Sequence, residues 1–260
     1  MSQRTPTLRI CRGYAAMQQH IVKMADAGYT FWTSGYCRPH KLQDLVEKFS
    51  EKYGIHLTRS QRTYRKKKGL ANAHMMAVYE SSANCFWILL VTPGIGIVHN
   101  EEKLRDSKKA GEHIVVNDVH LQRLTRPRMH GGGEHWTWLL LESKFNELQN
   151  QATKDARHAQ PETIRLFWKQ QFGRTMHSGV RTQLKQILRR AIRIWEKRKL
   201  QDEAGNRIPW PAPAPDSLPI KGKFREIYHP EVTSYDLQLG AFVPYAEERM
   251  PLPAYIPDDI

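Results

Sequence analysis

The chain is poor in thiols, in long apolar runs and in acids. Its three cysteines, Cys11, Cys37 and Cys85, are far apart and form no CxxC pair. That pattern excludes a disulfide framework and points to a reducing compartment. The longest apolar run, CFWILLV at 85–91, is too short to span a bilayer. The opening MSQRTPTLRICRGY lacks the apolar centre of a signal peptide. A soluble, cytoplasmic chain is therefore expected. There is no Walker sequence, HExxH, GxSxG or dinucleotide fingerprint, and PGIG at 93–96 offers only a GxG between strand-like runs. No cofactor is expected.

What is abundant is positive charge. The 260 residues hold 40 Lys and Arg against 26 Asp and Glu, a formal charge of +14. A field of that size favours polyanions, and nucleic acid is the commonest large one. An anionic membrane would call instead for a basic helix with an exposed apolar face, so no membrane partner is expected.

Periodicity organises the chain. TLRIC (7–11) reads as a short strand, residues from Tyr14 to Gly28 as a helix, and YTFWTSGYC (29–37) as a second strand. Pro39 suits a first helical turn; Leu42, Leu45, Val46, Phe49 and Tyr53 form one apolar stripe, and Gly54 stops a helix over 40–53. HMMAVY (74–79) and NCFWILLVT (84–92) read as a strand pair, HIVVNDVHLQRL (113–124) and HWTWLLL (135–141) as further strands. Beyond 142 three helical segments follow, and then a stretch at 206–222 with five prolines that favours an extended path. The expected division is an α+β core over 1–142, a basic helical region over 143–204, and a proline-rich linker and tail over 205–260.

Three places carry candidate chemistry. RSQRTYRKKKG (59–69) packs Arg59, Arg62, Arg65, Lys66, Lys67 and Lys68 around Tyr64, in a short helix that Thr58 or Ser60 would cap. Cations at this density repel one another unless phosphates neutralise them, and Tyr64 offers a stacking surface for an unpaired base. A solvated basic face or a localisation tag fits the same residues. The second place is helix 180–200. Val180, Leu184, Ile187, Leu188, Ala191 and Trp195 face a core, while Arg181, Lys185, Arg189, Arg190, Arg193, Lys197 and Arg198 occupy the other faces with only Glu196 against them. Such a helix can lie along a phosphate backbone. The third is the glycine-rich loop: Gly131, Gly132 and Gly133 would let a phosphate backbone approach main-chain amides, flanked by Arg123, Arg126 and Arg128. The same residues also fit a plain hairpin turn. A zinc site at His130, Glu134 and His135 would need a rigidity that three glycines deny, so no metal is expected.

Strand, helix, strand, helix and then antiparallel strands with a glycine-rich loop resemble a ferredoxin-like or RRM-like core. YTFWTSGYCRPHKLQDLVEKFSEKYG and GLANAHMMAVYESSANCFWILLVTPG resemble segments of plasmid and integrative-element proteins. Together with the basic helical addition, this architecture over residues 7–141 resembles the RAMP superfamily, in particular the crRNA-processing endoribonucleases of plasmid-borne type IV CRISPR systems. The resemblance implies metal-independent cleavage of a structured repeat RNA, retention of the product in a ribonucleoprotein complex with other subunits, and catalytic arginines carried over to Arg12 and Arg38. A non-enzymatic DNA-binding protein for plasmid replication, partition or mobilisation is the alternative.

Overall fold

In the computed structural model, residues 9–81, 83–125, 131–172, 177–215 and Tyr228 are described. The apolar stripe after Pro39 does form a helix, α2 (Pro39–Tyr53), with Pro39 in its first turn and Gly54 ending it at φ 66. Leu42, Val46, Phe49 and Tyr53 are all buried. Each such side chain contributes about 1.5–3 kcal/mol by leaving water, so the stripe decides which way the helix faces.

They face a sheet built from β1 (Ile10–Cys11), β2 (Phe31–Cys37), β3 (Ala73–Tyr79), β4 (Cys85–Val91) and β5 (Arg105–Asp106), in the order β1-β3-β4-β2-β5. Pairings among β3, β4, β2 and β5 are all antiparallel, and β1 lies parallel to β3 at the far edge. Apart from α3 (Arg59–Lys67), inserted between α2 and β3, the run β2, α2, β3, β4, α4 (Val98–Glu101), β5 therefore reproduces the ferredoxin-like β-α-β-β-α-β order. The expected α+β class holds, with one change of frame: β1 is not the first core strand but an addition outside it.

Register assigns the faces. Phe31, Val91, Ala73, Leu89, Met75, Trp87, Ala77, Cys37, Cys85 and Tyr79 share one face, where they pack with α2 and with Val98 of α4. Trp32, Leu90, His74, Ile88, Met76, Phe86 and Val78 share the other. α1 (Tyr14–Asp26) covers that second face, with Tyr14 beside Phe86 and His20 beside His74. All seven residues of β3 are buried as a result. An RRM-like sheet keeps this face open for bases; here the added β1-α1 unit closes most of it.

The chain divides into two compact units, and the division falls after Asp106, not at the expected 142. The first holds residues 9–106 and Tyr228; the second begins at Ser107. The reason is a second sheet, β6 (Val115–Val116), β7 (Val119–Thr125) and β8 (Glu134–Leu140), which belongs with the helices that follow it. The run expected as one strand over 113–124 is broken by a two-residue turn at Asn117-Asp118, where Asn117 has φ 57. Asn tolerates that conformation, which suits tight hairpins.

Helices α5 (Glu142–His158), α6 (Pro161–Phe172) and α7 (Ser178–Lys197) complete the second unit. α7 buries the six apolar residues its sequence singled out, and Gly179 besides. The start of α7 lies directly on β8: Gly179 donates its N–H to Thr137 Oγ1 at 3.0 Å, and Gln183 accepts the N–H of Leu140 at 2.7 Å. The helix so covers the polar edge of the outer strand. Residues 198–214 form no helix, as the prolines suggested, and return along α7, with Trp210 edge-on to Trp195 at 6.0 Å.

A Cβ on Gly179 would sit 2.5 Å from the carbonyl oxygen of Trp138. Gly179→Ala should therefore cost about 1–3 kcal/mol, read as a lower urea midpoint; an unchanged midpoint would show that α7 does not depend on this contact.

Candidate nucleic-acid interface

α3 (Arg59–Lys67) begins with a complete capping box, Thr58 with Gln61, which satisfies two orphan amides and fixes the helix start. Its far end is tied to the PGIG turn: Ala71 N–H donates to Ile95 O and Ile95 N–H to Gly69 O, both at 2.9 Å. Gly94 makes this possible, since a Cβ there would fall 2.7 Å from Gly69 O. The GxG that was uninformative in the sequence is thus the seat of the basic helix.

The six cations of this stretch divide into two groups. Arg62 donates to the Ile55 carbonyl at 2.7 Å and stands beside Tyr29. Arg65 donates to the Ala71 carbonyl from Nε at 3.2 Å and from Nη2 at 2.8 Å. These two hold the helix to the body of the unit, a structural role beside their expected one as phosphate contacts. Arg59, Lys66, Lys67 and Lys68 are exposed, and no acid pairs with them among the described residues. Tyr64, 62% exposed, stands among them with Lys68 Nζ 5.8 Å from its ring centre. Two shallow grooves flank the ring, one lined by Arg59, Thr63 and Lys67, the other by Leu57, Gln61 and Arg65.

On α7, Arg181, Lys185, Arg189, Arg193 and Lys197 fall four residues apart and form one ridge, about 24 Å long. Arg181 and Lys185 are half-buried; Arg189, Arg193 and Lys197 are exposed, as is Arg190 beside the ridge. Arg198 serves the fold instead, stacking on Trp195 and donating to the carbonyl of Ala159 at 3.0 Å.

The glycine-rich loop is the connection between β7 and β8, with Gly131, Gly132 and Gly133 at φ 89, 61 and 75. Three left-handed residues in succession explain the glycines as a turn requirement. Arg123 pairs with Glu134 at 2.9 Å, both about half exposed. Arg126, Arg128 and His130 lie outside the described residues.

Arg12 and Arg38 end up at the same end of the first sheet, following β1 and β2. With β3 and β4 between them, the two strands are about 14 Å apart. Arg12 is spent on the fold, its Nε donating to the carbonyl of Tyr228 at 3.3 Å. Arg38 is exposed, caps α2 with extended backbone, and has no side-chain partner among the described residues. The two arginines do not converge on one phosphate.

Two features escaped the pattern reading. Tyr36 and His40, both exposed, bracket Arg38 at the strand-to-helix junction YCRPH. The alternation of β2 was the available signal, since Tyr36 and Arg38 are two residues apart and share a face. The second feature is a buried group around His74. Its Nε2 lies 3.2 Å from Tyr228 Oη, its ring 5.2 Å from that of His20, and Arg9 stacks over Tyr228. Burial, then Lys23, Arg9 and Arg62, lowers His20 from 6.5 to about 4; burial, then His20, Arg62 and Arg9, holds His74 well below its ordinary value. Cations surround these imidazoles, so the folded state keeps them neutral. In the second unit burial alone brings His177 to about 4.

No family model, no curated protein and no solved structure matches the chain.

A depressed histidine contributes stability that is complete above pH 6.5 and is lost as pH falls towards 4. Between pH 7.5 and 5 the urea midpoint should therefore drop, His20 alone accounting for roughly 1–2 kcal/mol. His20→Phe should flatten the profile; an equally steep one would place the pH dependence elsewhere.

Proposed function

We propose that the chain is an RNA-binding protein that grips phosphates through α3 and α7. The observation that carries this reading is the set Arg59, Lys66, Lys67 and Lys68 around exposed Tyr64, unpaired by acids among the described residues on a helix anchored at both ends. Holding four like charges on nine or ten residues is unfavourable in isolation and becomes favourable when phosphates replace condensed counterions. The ridge on α7 supplies a second cationic surface, and Tyr64 adds stacking that duplex DNA could not use.

Replacing Arg59, Lys66 and Lys67 by Ala should weaken RNA binding and reduce the slope of log K against log salt by about one unit per lost contact. Arg65→Ala should instead lower stability and leave the slope intact, because its guanidinium serves Ala71. An unchanged slope in the triple variant would return α3 to a solvated basic face.

Metal-independent processing of precursor crRNA, with the product kept in a ribonucleoprotein complex, is the finer form of the same proposal. It rests on the resemblance to the RAMP superfamily and draws support from the exposed guanidinium of Arg38, without a side-chain partner among the described residues, and from exposed His40 two residues on. An imidazole can take the proton of a 2′-hydroxyl while a guanidinium offsets charge on the phosphate. With hairpin repeat RNA and EDTA under single-turnover conditions at saturating protein, Arg38→Ala should slow cleavage roughly 100- to 1,000-fold. Binding without any cut by the wild-type chain would leave the binding reading and remove the enzyme.

A further inference from the structure

The face of the first sheet that α1 covers is open at one place. Along β2 the side chains on this face are Trp32, Ser34 and Tyr36. Trp32 is 2% exposed and lies under the Arg105 guanidinium at 5.1 Å, whereas Tyr36 is 62% exposed. β5 pairs with Phe31 and Trp32 only, so among the described residues the outer edge of β2 has no strand partner from Thr33 onward. Tyr36 rests on Phe86, its cross-strand neighbour, at 5.4 Å, and Phe86 rests on Tyr14 at 5.8 Å. An exposed ring on a buried aromatic support is held in place before any ligand arrives, so little side-chain freedom is lost when something stacks on it.

Arg38 continues this row. Its backbone is extended, φ −69 and ψ 146, so its side chain follows Tyr36 on the same face, about 7 Å further along the strand. Glu80 lies at the same end of the sheet, on the far side of β4 where β3 ends, and its carboxylate accepts the hydroxyl of Tyr14. The guanidinium of Arg38, without a side-chain partner among the described residues, attracts a phosphate.

We infer that this end of the sheet holds one unpaired nucleotide, its base stacked on Tyr36 and its phosphate on Arg38. This rests on the nucleic-acid reading above and names the substrate class for the Arg38 site: a single-stranded segment, because a base inside a duplex has both faces already covered. The site lies at the sheet's end, since α1 denies bases the middle of the face.

The test is fluorescence anisotropy with a labelled single-stranded 12-mer RNA and a blunt 12-base-pair duplex, with adenosine monophosphate as competitor. Tyr36→Ala should weaken single-strand binding about tenfold to a hundredfold and leave duplex binding within twofold. Tyr36→Phe should restore single-strand affinity, because the ring and not the hydroxyl does the stacking. Tyr36→Leu, which keeps apolar bulk in the same place, should behave as the alanine variant does. Competition by the mononucleotide in the wild type but not in Tyr36→Ala would identify a free nucleotide as a sufficient ligand; no competition would assign the site to a strand. Wild-type binding to both RNAs with single-strand affinity unchanged in Tyr36→Ala overturns this inference alone. Binding to neither RNA removes the nucleic-acid reading with it. Equal losses on single strand and duplex would mean that Tyr36 supports the fold and not a base.

Discussion

The first unit depends on one constraint, the burial of β3 on both faces. Seven consecutive residues, Ala73–Tyr79, are hidden, so two layers must cover them. α2 covers one with its Leu42, Val46, Phe49 and Tyr53 stripe, and α1 the other. A strand in that position has no solvent side, which is why AHMMAVY shows no alternation of apolar and polar residues. His74 is the exception, and its neutrality follows from the same burial. Because α1 occupies the face that a ferredoxin-like core would leave free, the exposed Tyr36 and Arg38 stand at the sheet's end, and the exposed cations of α3 lie apart from that face.

The cations do two kinds of work. Arg62, Arg65 and Arg198 are committed to main-chain carbonyls, where a guanidinium supplies the donor that a helix end or a loop lacks. Arg59, Lys66, Lys67, Lys68 and Arg38 remain exposed, without such commitments among the described residues. Counting charge over the stretch 59–68 overstates the phosphate-binding part, because a committed arginine neutralises nothing in solvent yet costs stability when removed. Charge that is needed for the fold is invisible in a net total.

The second unit illustrates close approach as a design principle. Gly179 stands in the first turn of α7, where the backbone of β8 comes too close for any side chain. The gain is two side chain–backbone hydrogen bonds across the same contact and a covered strand edge. Gly94 does the same for α3 in the first unit.

Local pattern was enough for most elements. The stripe of α2, the core side of α7, the three helices after 142 and the strands β2, β3, β4 and β8 were legible because periodicity and breakers act within a few residues. The α+β class followed from their order. The Asn117-Asp118 turn was also local and was passed over inside an apolar run. The sequence by itself determined the two cationic helices and the absence of a span long enough for a membrane. Only the tertiary structure decided which arginines were already occupied, that Arg12 and Arg38 stand apart with two strands between them, that β1 is an addition, and that Tyr36 is open while Trp32 is closed. Each of these depends on which distant segment lies opposite a residue, and strand pairing across some fifty positions leaves no trace in the spacing of neighbours.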